Sequence, residues 1–247
     1  MRIDHSFGSF LLFIVFLSSC NSVHQESGWD SSQIQIARDD FGVPHIFGKT
    51  DADVAYGLAW AHAEDDFETI QKTMLAGKAL VGRVYGEEGA AVDFFVQLLE
   101  TQKIAKEKYE SSFSAEFKKV LEGYAAGIND YALQHPKEML YSRAFPVSTE
   151  DIASAYILSL AQMSGADRAV QAIFSGEVTV LPPDPNPKGS NAIAIHSDRT
   201  ESGESFLAIN SHQPLEGPVA WYEAHLNYEE SLKKLGGLIQ GGAMILH

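Results

Sequence analysis

Ser190 is the residue of this chain whose setting could do the most chemistry. It follows Gly189 and precedes Asn191. A break of the Gly189–Ser190 peptide would leave Ser190 with a hydroxyl and a free α-amine on one residue. An alkyl hydroxyl is a weak nucleophile and needs a base beside it. An α-amine, with an ordinary pKa of about 7.7–8.0, is partly neutral at neutral pH and can take that proton. Gly189 suits such a break, because a residue without Cβ admits a strained turn in which Ser190 Oγ reaches its carbonyl. Alone, Gly-Ser-Asn reads as an ordinary turn. Its flanks set it apart.

Before the junction, Pro182, Pro183, Pro185 and Pro187 crowd into residues 181–188, a stretch that neither helix nor sheet accepts. It reads as an exposed linker. After the junction, residues 190–196 alternate, with Ile193 and Ile195 on one side. Residues 200–204 read as a turn and 205–210 as a second apolar strand, so a β-hairpin is predicted, with Asn210, Ser211 and His212 closing it. Residues 221–228 suggest a third strand. The tail, with Gly236, Gly237, Gly241 and Gly242, reads as irregular.

The first half has a different period. Residues 33–38 alternate like a strand, Gly42-Val43-Pro44 signals a turn, and His45-Ile46-Phe47 continues as a short strand. Asp51 reads as the N-cap of a helix carrying Val54, Leu58, Ala61, Phe67, Ile70 and Met74, stopped by Gly77. Ser114 precedes a second helix that Pro136 ends. Ser148 and Asp151 are spaced as a capping box ahead of Ile152, Ala155 and Leu160. Residues 51 to about 165 therefore read as mainly helical. The fold class expected is α+β, helices first and strands after the linker.

With a formal charge of -15, the chain is repelled by phosphate, which excludes nucleic acid as a partner. The hydrophobic fraction of 45% supports a substantial core. The lone cysteine, Cys20, forms no intrachain disulfide and no zinc cluster. It follows an apolar run over residues 10–17 that is too short to span a bilayer. Leu17-Ser18-Ser19-Cys20 resembles a lipobox, so export and lipidation of Cys20 are expected, placing the protein in the periplasm or on the outer membrane.

Several ordered motifs resemble the penicillin acylase family, self-cleaving N-terminal-nucleophile hydrolases that include the acyl-homoserine lactone acylases. Gly189-Ser190-Asn191-Ala192, Glu201-Ser202-Gly203, residues 207–212 and Trp221-Tyr222-Glu223 look like the start of the family's β-chain. Arg38-Asp39, residues 42–46 and residues 56–65 look like the opening of its α-chain and first long helix. The resemblance implies a partial αββα sandwich, organised as a signal over 1–19, a helical α-chain over 20–168, a spacer over 169–189 and a β-chain start over 190–247. It implies Ser190 as nucleophile and Gly189–Ser190 as the processing bond. The two chains of one precursor would then stay together as a heterodimer.

The same resemblance gives His212 a role in orienting or tuning the amine of Ser190, where penicillin G acylases carry glutamine. Without it, His212 reads as a strand-end surface residue. Asn191 would shape the strand start. His45, His62, Glu64 and Asp65 are read as structural, the last two as buried partners at a helix end. Trp221, Tyr222 and Glu223 would brace or line the pocket, with core packing the favoured job of the aromatic pair. The substrate expected is an acyl amide, such as an acyl-homoserine lactone, a β-lactam side-chain amide or a lipopeptide. No cofactor is required. A structural calcium is left open, with Ser148 at the family's ligand position and Glu150 close by. The family's β-chain continues well past the position of His247, so the oxyanion and asparagine residues are expected beyond it. The competing reading is an inactive exported lipoprotein with a binding role.

Overall fold

The computed structural model describes residues 28–176, 189–212 and 220–228, and the backbone of 238–241. Cys20 and the whole of the proline linker, residues 181–188, lie outside the described residues.

The chain opens with strands β1 (Gln35–Arg38) and β2 (Pro44–Gly48), paired antiparallel with Ile36 opposite Ile46. Asp39 makes their turn. Its Oδ1 accepts from the backbone N–H groups of Phe41 and Val43 at 2.9 and 3.0 Å, and Gly42 takes the left-handed φ of 85° that the turn needs.

Helix α1 (Asp51–Gly77) follows. Its N-cap is Thr50 rather than the expected Asp51. Thr50 Oγ1 accepts from Asp53 N while Asp53 Oδ2 accepts from Thr50 N, a reciprocal box that residue 51 is one place too late to make. The helix breaks at Asp66, whose φ of -153° and ψ of 65° are not helical. Asp66 Oδ1 then caps the second segment by accepting from Thr69 N at 3.0 Å. Gly77 ends α1, as the sequence suggests.

Short helices α2 (Gly82–Tyr85) and α3 (Glu87–Leu98) lead to α4 (Thr101–Ser112), α5 (Ala115–Gln134), α6 (Thr149–Met163) and α7 (Ala166–Ser175). Ser114 caps α5, and Ser148 with Asp151 makes the capping box of α6. Helix α7 runs through Arg168, the position at which the α-chain was expected to end.

Helices α1, α5 and α6 surround the core, which includes Leu58, Phe67, Ile70, Met74, Leu121, Tyr124, Ile128 and Ile152. Two side-chain amides hold the loop that closes it. Gln71 donates to the Glu138 carbonyl and accepts from Leu140 N, and Asn129 does the same for both groups of Val147.

The strands form two sheets. β3 (Ser190–Ile195) and β4 (Phe206–Ser211) make the predicted hairpin. β5 (Tyr222–Tyr228) is the predicted third strand, but it joins β2 in parallel, extending the first sheet. β6 (Leu238–Gly241) pairs antiparallel with β5, giving the order β1-β2-β5-β6. The glycine-rich tail is thus not wholly irregular: backbone pairing with a neighbouring strand overrides weak local propensity. The observed mixture of helices and strands is the expected α+β class.

Candidate active site

The sheet register decides what surrounds Ser190. Ser190 is the first residue of β3 and stands opposite Ser211, the last of β4. One step out, His212 N donates to the Gly189 carbonyl at 2.8 Å. In an antiparallel ladder, hydrogen-bonded and non-hydrogen-bonded pairs alternate. Gly189–His212 is the bonded pair, so Ser190–Ser211 is not. The Ser190 nitrogen is therefore not taken up by β4, and the two serine side chains form the close pair.

The pleat sorts the side chains. Ser190 and Ser211 share one face, while Gly189, Asn191 and His212 share the other. Asn191 Nδ2 lies 3.2 Å from His212 Nε2. With the amide donating, Nε2 accepts and the ring proton sits on Nδ1. That Nδ1 lies 3.5 Å from where a Cβ on Gly189 would be. The imidazole thus lies over the backbone of the junction, on the face opposite the Ser190 hydroxyl. Gly189 has no left-handed φ. It continues the ladder as paired backbone, and the strained turn expected there is not observed.

The rim is tied to the helices by contacts that short-range patterning misses. Trp221 Nε1 donates to Ser211 Oγ at 2.5 Å, clipping the end of β4 to the start of β5. Tyr222 OH donates to Asp65 Oδ2 at 2.5 Å, and the ring stacks on buried His62 at 4.3 Å. His62 also meets Tyr124 OH at 3.3 Å. Arg38 donates to Asp65 at 2.9 Å, to Glu64 at 3.1 Å and to the Gly42 carbonyl at 2.9 Å. Glu64 and Asp65 do end a helical segment, the first half of α1. They are not buried, at 43% and 41% exposed. Glu223 is exposed. His45 and His225 face each other across β2 and β5 with their Nδ1 atoms 2.8 Å apart. Asp39 lies 3.4 Å from His45 Nε2.

This network shifts its own titrations. Burial pushes the Tyr222 phenol up, and the hydrogen bond to Asp65 adds to it. Burial also raises Tyr124, and burial with the Glu138 contact pushes Tyr131 up to about 12. Partial desolvation works against the Arg38 charge, but its bonds to Asp65 and Glu64 outweigh that and raise its pKa. Between pH 10 and 12 the native state keeps phenolic protons that the unfolded chain releases, so stability falls as pH rises. These contributions are full below the ordinary tyrosine pKa of about 10. Tyr222→Phe is expected to cost about 1.5 kcal/mol at neutral pH by losing its bond to a carboxylate. It should also flatten the alkaline decline. Urea denaturation at pH 7, 10 and 11 checks both; an unchanged alkaline slope would contradict the assignment.

Ser148 and Glu150, where a calcium was left open, both have partners within the chain. Glu150 sits exposed in the first turn of α6, accepting from Thr149 Oγ1 at 3.2 Å. Ser148 is committed to capping, accepting from Asp151 N at 3.1 Å. Among the described residues no group of three His, Cys, Asp or Glu side chains could hold a metal ion. No helix among them is long and apolar enough to cross a membrane.

The chain is similar to known acylases. Acyl-homoserine lactone acylase PvdQ from Pseudomonas fluorescens (strain Pf0-1) is 25% identical over 275 aligned residues, covering 99% of this chain and 35% of the relative. Penicillin acylase 2 proenzyme from Pseudomonas sp. (strain SE83) is 30% identical over 101 residues, covering 41% of this chain and 13% of the relative. A thermostable penicillin G acylase structure from Alcaligenes faecalis aligns with a TM-score of 0.42 and 19% identity, covering 62% of this chain and 96% of that one. The chain spans about a third of the length of the acylase relatives that it matches almost end to end. The penicillin amidase family model matches residues 33–246, and the chain belongs to that family.

Proposed function

We propose that this chain carries the nucleophile of an amide hydrolase made as a precursor that cuts itself between Gly189 and Ser190. The observation that carries the reading is the strand register. It places Ser190 at the very start of β3, its nitrogen outside the β3–β4 ladder, with His212 folded over the junction. A cut there frees an amine on the residue that bears the attacking hydroxyl. Ser190 Oγ attacks an amide carbonyl as the α-amine takes its proton. The amine product leaves, and water hydrolyses the acyl-enzyme. The His212 ring tunes the amine from the opposite face and does not reach the hydroxyl.

Family membership supports amide hydrolysis, and similarity to acyl-homoserine lactone acylases favours an N-acyl-homoserine lactone over a β-lactam or lipopeptide amide as substrate. The lipobox-like segment ending at Cys20 supports export and attachment to the outer membrane by lipidation. A non-enzymatic binding lipoprotein has no structural observation in its favour.

The test uses the purified precursor. Intact mass and N-terminal sequencing are expected to show a second chain beginning at Ser190. Selective blocking of that amine by acylation should abolish hydrolysis of an acyl-homoserine lactone. An uncut protein that hydrolyses the amide at full rate would overturn the proposal.

A further inference from the structure

We infer that the main-chain N–H of His212 is the oxyanion donor of the self-cleavage step, a part separate from that of its imidazole. The inference rests on Ser190 being the nucleophile. The carbonyl that must be attacked is that of Gly189, and its oxygen already accepts from His212 N at 2.8 Å. Effective oxyanion donors lie at about 2.7–3.1 Å from the developing charge. The donor is held in place by the strand that precedes it. The β3–β4 register sets His212 opposite Gly189, and Trp221 Nε1 holds Ser211 one residue before it. Gly189 lacks the left-handed φ seen at Gly42 and Gly203 and continues the strand. At this bond a carbonyl that already has its donor is followed directly by a residue with a hydroxyl nucleophile.

The step balances as an acyl shift followed by hydrolysis. Ser190 Oγ bonds to the Gly189 carbonyl carbon and gives up its proton. The carbonyl π electrons move onto the Gly189 oxygen, where the His212 N–H meets the new charge. Collapse of the intermediate breaks the C–N bond. The Ser190 nitrogen takes up the proton as an amine, and Gly189 is left as an ester on Oγ. Water hydrolyses that ester, giving the Gly189 carboxylate and restoring the hydroxyl.

The experiment follows cleavage of the refolded precursor by intact mass, with hydroxylamine added in parallel to trap the ester as a Gly189 hydroxamate. His212→Ala keeps the N–H and removes the ring. His212→Pro removes the N–H. Loss of one oxyanion donor typically slows such a step about 10²–10³-fold, so the proline variant should be slowed by that factor and the alanine variant by less than about tenfold. Should proline disturb the hairpin, an ester at the Ser211–His212 link replaces the N–H with oxygen and keeps the imidazole. It must be slowed like the proline variant. Proline and ester variants that cut at the wild-type rate overturn the inference, as does an alanine variant slowed as much as proline. A Ser190→Ala precursor still cut after Gly189 overturns instead the reading of Ser190 as nucleophile.

Discussion

A Ser190→Ala precursor is expected to stay a single polypeptide and to hydrolyse amides at least about 10⁵-fold more slowly than the cut wild type, the scale seen when a covalent nucleophile is removed. Two losses combine. Alanine has no oxygen to attack the Gly189 carbonyl, so no α-amine is released. It has none to attack a substrate either. Ser190→Cys should still cut, because a thiol is the stronger intrinsic nucleophile. The pair separates chemistry from folding: both variants, compared before any cut, should unfold at the same urea concentration as each other. A cleaved and active alanine variant would end the proposal for this residue.

The second large effect lies in the scaffold. Gly123 and Gly127 are one turn apart on α5 and face the backbone of α1. A Cβ added at Gly123 would lie 2.1 Å from the Ala52 carbonyl oxygen, and one at Gly127 would lie 2.4 Å from that of Tyr56. Neither carbonyl can swing aside, because both belong to helix α1. In an exposed helix, Gly→Ala stabilises by about 1 kcal/mol. Here overpacking should reverse the sign, and Gly123→Ala is expected to lose about 2–3 kcal/mol net. The double alanine variant should not fold. The check is the urea midpoint at constant m-value, with Lys119→Ala on the exposed side as control. A Gly123→Ala protein as stable as wild type would mean that α1 and α5 pack less closely than the structure has them.

Local pattern made much of this fold legible. The Ser148–Asp151 box, the Ser114 cap and the stop at Gly77 announce themselves because caps work through neighbours a few residues apart. The hairpin was readable from Ile193, Ile195 and residues 205–210 for the same reason. Partners distant in sequence were not. Nothing in the periodicity of residues 221–228 says that they will run parallel to β2, since a strand's partner is set by tertiary packing, here with Ile46 and Ala224 both fully buried. Tyr222 finds Asp65 across 157 positions. The helix break at Asp66 was hidden because residues on both sides keep an apolar period. At the junction, the sequence singled out Ser190 and His212 as candidates but could not show that they occupy opposite faces. That follows from a register one residue long, which composition does not encode.

The parallel ladder between β2 and β5 has one further consequence. Its two strands come from opposite sides of the Gly189–Ser190 bond, as do Asp65 and Tyr222. Were that bond severed as proposed, these contacts would no longer close a loop within one molecule. They would become an association between two, and the folded state would acquire a dependence on concentration that the uncut chain does not have. Dilution should therefore lower the melting temperature of the processed protein and leave that of its precursor unchanged.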